Sequence, residues 1–320
     1  MDLINDDSDL KLTEITSTIP SNSSVLPFYL TGSPIQKTPR IRGRICRLIA
    51  PITQILDRHN YPDTINSKLA EAMVITACLS TTFKLNGVIT LQAKGDGPLK
   101  TLFCDVSKDG HIRSYAAFEE KAFASKQIPQ DMRLPKLMGS GYMAFTIEQD
   151  GPSKRYQGIV ELSGETIADS VLAWFKNSEQ IHTEFITMAR KQDGLWVAAT
   201  LLIQKIAERG GLGDNIQYND LELWNKAKLF GKSLTTAELL DPNLELKTLL
   251  FRLFNELGVY IQPPRQIIDR CRCNDDKVKT MLHSFSKEQL KNLADENSNL
   301  VVDCEFCKRR RIFSSNLKAH

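Results

Sequence analysis

At 320 residues, with 42% apolar and 25% charged side chains, the chain has the composition of an ordinary globular protein able to bury one large core or several smaller ones. A formal charge of +3 is too small to argue for nucleic acid by itself, and no apolar run approaches the roughly 20 residues of a membrane span. The acidic start, MDLINDDSDLKLTE, contains no apolar segment, so it reads as neither a secretory signal nor a transit peptide, and a cytoplasmic address is expected.

Residues 1–24 are polar, end in IPSNSS and read as a disordered tail. Residues 25–209 read as an α+β core domain. Strand-like stretches cover Gly87–Gly95, Lys100–Phe118 and Gly141–Leu162, bent at Asp109-Gly110 and at Asp150-Gly151-Pro152. Helical stretches lie at 63–84 and 164–180, the second with Ile167, Val171 and Phe175 along one face. Hairpins mixed with helices, without a regular βαβ rhythm, favour α+β over a doubly wound sheet. GGLGDN then marks a joint into a helical linker over 210–265. In it Leu246, Leu249, Leu250, Leu253, Phe254 and Leu257 follow helical spacing up to a stop at Gly258, and Phe251 broadens the apolar face. Such a short helix needs a partner surface.

The last segment, 266–320, holds four of the seven cysteines in the pattern C-x-C-x30-C-x2-C: Cys271, Cys273, Cys304 and Cys307. In a cytoplasmic protein clustered cysteines read as metal ligands or redox groups rather than structural disulfides. Four thiolates satisfy one tetrahedral Zn2+ with no open position, as in structural sites. The insert between the pairs offers Val278, Met281, Leu282, Phe285, Leu290 and Leu293 as a core of its own, too little for a module of this size without a metal staple. The bland alternative is four reduced, unliganded thiols. Arg270, Arg272 and Lys308-Arg309-Arg310-Arg311 flank the pairs. They can favour the thiolates, form an ordinary solvated face, or contact phosphates in a nucleic-acid-binding zinc module. Each pair is near enough in sequence to close a local disulfide, which would remove all four ligands and, with them, much of the module's folding energy.

These residues resemble the family of the heat shock protein of 33 kDa, redox-regulated bacterial chaperones. The cysteine tail carries the resemblance together with RGRICRL (42–48), HNYP (59–62), LQAKGDGPL (91–99), YQGIVELSG (156–164), NSEQIHT (177–183) and ELLDPNLELKTLLFRLFNELGV (238–259). The resemblance implies a protein without catalytic turnover, inactive when reduced and zinc-bound. Oxidation would form Cys271–Cys273 and Cys304–Cys307, release zinc and disorder the linker, and the active form, typically a homodimer, would hold unfolding client proteins. The face made by Leu246, Leu249, Leu250, Phe251, Leu253, Phe254 and Leu257 is then a candidate client surface; alternatively it is core in both states. Arg270, Arg311 and Asn274 depart from the family pattern beside the ligands, which bears on how tightly the module packs and on its oxidant threshold. A zinc-dependent nucleic-acid-binding protein is the alternative function, and a thiol oxidoreductase using CEFC a third.

Cys46, Cys78 and Cys104 sit in apolar segments and read as ordinary buried thiols. His182-Thr183-Glu184 with CEFC faintly matches a zinc-deaminase pattern, but the spacing is too long, Asp303 replaces the proline, and two cysteines are left over. Gly95-Asp96-Gly97-Pro98 lacks the Lys-Ser/Thr of a phosphate loop and reads as a turn. His59, His111, His283 and His320 show no competing ligand spacing.

Overall fold

The computed structural model describes residues 22–83, 86–123, 132–149, 155–206 and 214–315, with side chains omitted for 214–220. The Asp150-Gly151-Pro152 bend, the joint at 210–213, His320 and residues 1–21 of the tail lie outside the described residues. The chain divides into two compact units between Asp269 and Arg270.

The first unit opens with β1 (Ser23–Leu30), β2 (Ile41–Leu48), α1 (Ala50–His59) and α2 (Asp63–Ser80). Next come β3 (Gly87–Gly95), β4 (Leu99–Ser107), β5 (His111–Phe118), α3 (Glu120–Phe123), α4 (Leu134–Met138), β6 (Gly141–Gln149) and β7 (Arg155–Glu161). They are followed by α5 (Ile167–Trp174), β8 (Thr183–Gln192), β9 (Leu195–Lys205), α6 (Asp214–Lys232), α7 (Thr236–Leu240) and α8 (Leu246–Phe254). Three short strands close the unit: β10 (Val259–Ile261), β11 (Arg265–Gln266) and β12 (Ile268–Asp269). Strand β1 begins at Ser23, inside the stretch read as a tail, because Ser23 and Ser24 continue the ladder opposite Leu48 and Arg47. These two small polar residues carry no apolar signal of their own.

Among the described residues these strands form two six-stranded sheets. The first runs β10-β1-β2-β9-β8, with β11 also on β1; the second runs β12-β5-β4-β3-β6-β7. Expected hairpins at 100–118 and 141–162 are present in the pairing of β4 with β5 and of β6 with β7, the former turning at Gly110, whose φ of +78° suits glycine. The α+β class is as the mixture of hairpins and helices implied.

Helix α2 is buried almost all round, which explains why its sequence shows little amphipathic contrast. It shares a core with the inner face of the second sheet, with α1 and α5, and with Cys46, Cys78 and Cys104, all three fully buried. Helix α5 is opened by a reciprocal Thr166/Asp169 cap and gives way after Trp174 to a wide turn over Phe175–Glu179. That turn lets consecutive Trp174 and Phe175 both point inward, a break the helical periodicity did not foretell.

Strand β2 has both faces buried, and its alternation divides the unit. Cys46 and Leu48 join the α2 core, while Ile41 and Ile45 join a second core against α6, α7 and α8. Gly43 lies on this second face because a Cβ there would sit 2.1 Å from the Phe28 ring. That ring in turn stacks on Phe254 of α8, centroids 5.6 Å apart. The helices read as a linker therefore pack on the first sheet.

The second unit contains α9 (Asp275–His283), α10 (Lys287–Leu293) and the hairpin β13 (Asn299–Asp303) and β14 (Arg310–Ser314). Its core is smaller than its sequence suggests. Leu282, Leu290 and Leu300 are buried and Val278 packs against them, but Met281, Phe285 and Leu293 are exposed.

Candidate metal centre

Cys271 and Cys273 lie on the extended segment that leads into α9. Its N-cap is Asn274, whose side-chain oxygen accepts the Lys277 N–H at 2.8 Å. Asn caps as well as Ser does, so this departure keeps the local geometry. On the first unit's side of the boundary, Asp269 is held by an ion pair with Arg58 of α1 and by the parallel pairing of β12 with β5.

Cys304 and Cys307 occupy the turn between β13 and β14. The Lys308 N–H donates to the Cys304 carbonyl at 2.8 Å, the Cys304 N–H donates to the Arg309 carbonyl at 3.1 Å, and Lys308 takes a left-handed φ of +53°. This tight knuckle points both sulfurs the same way.

The four Sγ atoms all lie within 4.8 Å of one another. Cys271 Sγ is 3.8 Å from Cys304 Sγ, and Cys273 Sγ is 3.4 Å from Cys307 Sγ. A tetrahedral ion with metal–sulfur bonds of about 2.3 Å sets its sulfurs about 3.8 Å apart, so the cluster fits one such ion with minor adjustment. Four soft sulfur donors and no carboxylate or imidazole suit a thiophilic metal, not magnesium or calcium. The sequence-assigned ligands are thus brought together, all four half-buried.

Their protonation is uneven. Burial pushes the Cys271 thiol up to about 12, and burial also raises Cys307. Burial acts the same way on Cys273, but hydrogen bonds from Cys271, Cys307, Arg311 and Cys304 outweigh it and bring this thiol down to about 7.

Arg311, expected to bear on how tightly the module packs, lies against the site. It is only 8% exposed, its Nε donates to Asp275 Oδ1 at 2.7 Å, and its Nη2 donates to Cys273 Sγ at 3.3 Å. The Asp275 contact was missed in the sequence; the acid one residue after the N-cap, opposite a run of arginines, was the available signal. The other departure, Arg270, is exposed. Along the basic run, Lys308 pairs with Glu305 and Arg310 takes a two-point contact with Asp303 at 2.9 Å. Three of the four cations offered to phosphate are therefore engaged within the module.

The candidate client face is covered. Leu246, Leu249, Leu250, Phe254 and Leu257 are buried against the first sheet, Leu253 is half-buried at its rim, and Phe251 is 61% exposed. No described helix is long and apolar enough to cross a membrane.

Comparison with known proteins settles the kinship. Residues 34–314 match the model of the family described as Hsp33 protein. The chain belongs to the Hsp33 family. Among relatives, a 33 kDa chaperonin of Caulobacter vibrioides is 31% identical over 298 residues, covering 91% of this chain and 96% of that protein. The 33 kDa chaperonin of Nitrosococcus oceani is 31% identical over 275 residues, covering 86% of this chain and 87% of its own. A crystal structure of a 33 kDa chaperonin, an HSP33 homologue from Thermotoga maritima, superposes with a TM-score of 0.73 at 20% identity, covering 92% of this chain and 95% of that one. The Hsp33 resemblance drawn from the cysteine tail and the upstream segments holds over most of the chain.

Proposed function

We propose that this Hsp33-family chain is a holdase chaperone whose activity is governed by the redox state of Cys271, Cys273, Cys304 and Cys307, without catalytic turnover. Family members named as chaperonins support the chaperone role. The observation that carries the switch is the convergence of four sulfurs in a module whose buried core is three leucines.

In the reduced state the four cysteines would hold one Zn2+, which supplies a four-way cross-link between the start of α9 and the β13–β14 turn. Arg311 offsets part of the thiolate charge and Asp275 holds Arg311 in place. Oxidation by a peroxide joins two sulfurs per disulfide; two electrons and two protons pass to each peroxide, which leaves as two waters. Contacts across the two pairs are 3.8 and 3.4 Å, so proximity alone does not choose partners. The short tethers within C-x-C and C-x-x-C favour Cys271–Cys273 and Cys304–Cys307 once the module loosens. Without its cross-link the module loses its folding energy.

The linker, residues 210–265, would then leave the first sheet. Its departure uncovers the Leu246–Leu257 face together with the sheet face that includes Phe28, Ile45 and Leu201, apolar surface suited to unfolding clients. Association of two oxidised copies would cover part of that surface, consistent with a dimeric active form in the cytoplasm. The engagement of Lys308, Arg310 and Arg311 by acids of the module disfavours the nucleic-acid alternative.

The test is light scattering from a heat-unfolding client, with the protein either reduced and zinc-loaded or oxidised with peroxide. Suppression by the oxidised sample alone supports the reading. Suppression by both removes the switch, and by neither removes the chaperone.

A further inference from the structure

Strand β2 carries Arg47, a fully buried arginine facing the linker rather than α2. Its Nε donates to the Leu239 carbonyl at 2.9 Å, Nη1 to the Leu244 carbonyl at 2.7 Å, and Nη2 to the Glu238 carbonyl at 3.2 Å. A longer contact of 3.4 Å reaches Asn22 Oδ1, and Asn22 itself donates to the Pro242 carbonyl at 3.0 Å. One guanidinium thus gathers the C-terminal carbonyls of α7 and the turn before α8. Carbonyls in the last turn of a helix lack intrahelical donors, so these acceptors need an outside partner.

We propose that Arg47 is the latch that holds the linker on the first sheet and makes its release all-or-none.

The acceptors are neutral and, apart from Asn22, come from a single linker segment, so the guanidinium has no hydrogen-bonded counter-charge of its own. Burial pulls its pKa down to about 10, partly offset by nearby Asp241, and at neutral pH it stays charged. A small slip of residues 238–244 would strand a buried cation against the apolar sheet face, the costliest arrangement available. Complete departure strands nothing, because water then reaches both the guanidinium and the carbonyls. Intermediate positions are penalised and the two end states are not. The apolar stacking of Phe254 on Phe28 lacks this property, since it weakens gradually with distance. Other arginines of β2 point elsewhere: Arg44 Nη2 donates to the Thr81 carbonyl at 2.9 Å, beyond the end of α2, and Arg42 donates to Gln204.

The link from release to chaperone activity rests on the function proposed above; the latch itself does not. The test uses the full chain, reduced and zinc-loaded, as Arg47→Met and as Arg47→Lys, the latter keeping the charge but losing the fork. Hydrogen exchange across 239–257 should be at least about tenfold faster in Arg47→Met, as expected when charge-assisted hydrogen bonds are lost. Amides of α2 and the zinc content should stay as in the unsubstituted protein, and Arg47→Lys should fall between the two. Unchanged exchange over 239–257 in both variants overturns the latch, as does equal acceleration in α2, which would make Arg47 an ordinary core residue. If Arg47→Met does not fold, Arg47→Lys decides by the same comparison. Should peroxide fail to release the linker of the unsubstituted protein while Arg47→Met releases it reduced, the redox switch falls and the latch stands; the converse pattern sinks the latch and spares the switch.

Discussion

The two units are held together by different physics. The first buries two extended cores, one around α2 and one beneath the linker helices, and needs no ligand to explain its order. The second buries Leu282, Leu290 and Leu300 and little else, while four half-buried sulfurs converge within 4.8 Å. A unit held by burial responds to cavities and temperature; one held by an ion, as proposed for the second, would respond to chelators, protons and oxidants. On the proposed function, joining the two in one chain would let a chemical signal be read by a part that melts while the rest stays folded.

Metal removal should break this contrast most sharply. Structural zinc supplies about 10–16 kcal/mol in small peptides. Chelation of the reduced protein should therefore abolish exchange protection in the β13–β14 hairpin while leaving α2 protected. A hairpin still protected after verified metal loss would mean that the module folds by burial after all.

Phe254→Ala probes the opposite side. It removes a fully buried ring stacked on Phe28 and should cost the first unit about 3–5 kcal/mol, read as a lowered denaturant midpoint. Because the proposed switch couples loss of the ion to release of the linker, zinc affinity should fall as well; an unchanged affinity would show that linker docking is independent of the ion.

Arg311→Ala deletes the contacts to Asp275 and Cys273 Sγ but none of the four ligands. Loss of a partner that orients a metal ligand typically lowers affinity about 10–100-fold. Competition with a chromogenic chelator measures it, and an unchanged constant would return Arg311 to the role of a solvated cation.

Asn274→Ala should have the smallest effect, about 1 kcal/mol for a lost N-cap at α9. Asn274→Ser, keeping a capping oxygen, should restore most of it, as followed by thermal release of zinc. Equal behaviour of the two variants would show that the cap contributes nothing here.

Legibility in the sequence followed the range of the interaction. The four ligands could be read because two close pairs report their chemistry within a few residues of chain. Hairpins such as 100–118 announced themselves through β-branched runs and Asp109-Gly110. Arg311 was hidden because its partner Asp275 lies far away in sequence and its neighbours form a uniform basic run. Helical spacing located the Leu246–Leu257 stripe but not what covers it, since periodicity names a face and not its partner. The same limit applied to Met281, Phe285 and Leu293, which share helical spacing with Leu282 and Leu290 yet remain exposed. Ser23 and Ser24 joined a strand because of what lies opposite them, which no local rule records.

Strand β1 has a partner on each side, β2 on one and β10 with β11 on the other. The second pair of partners comes from residues 259–266, long after β1 in the order of synthesis. As the chain leaves the ribosome, one edge of its N-terminal strand therefore stays open until nearly the whole first unit has been translated. Such distant pairing slows folding and leaves unpaired strand edges exposed in the meantime. The cysteine pairs emerge directly afterwards. A chain proposed to hold incompletely folded proteins thus spends most of its own synthesis as one.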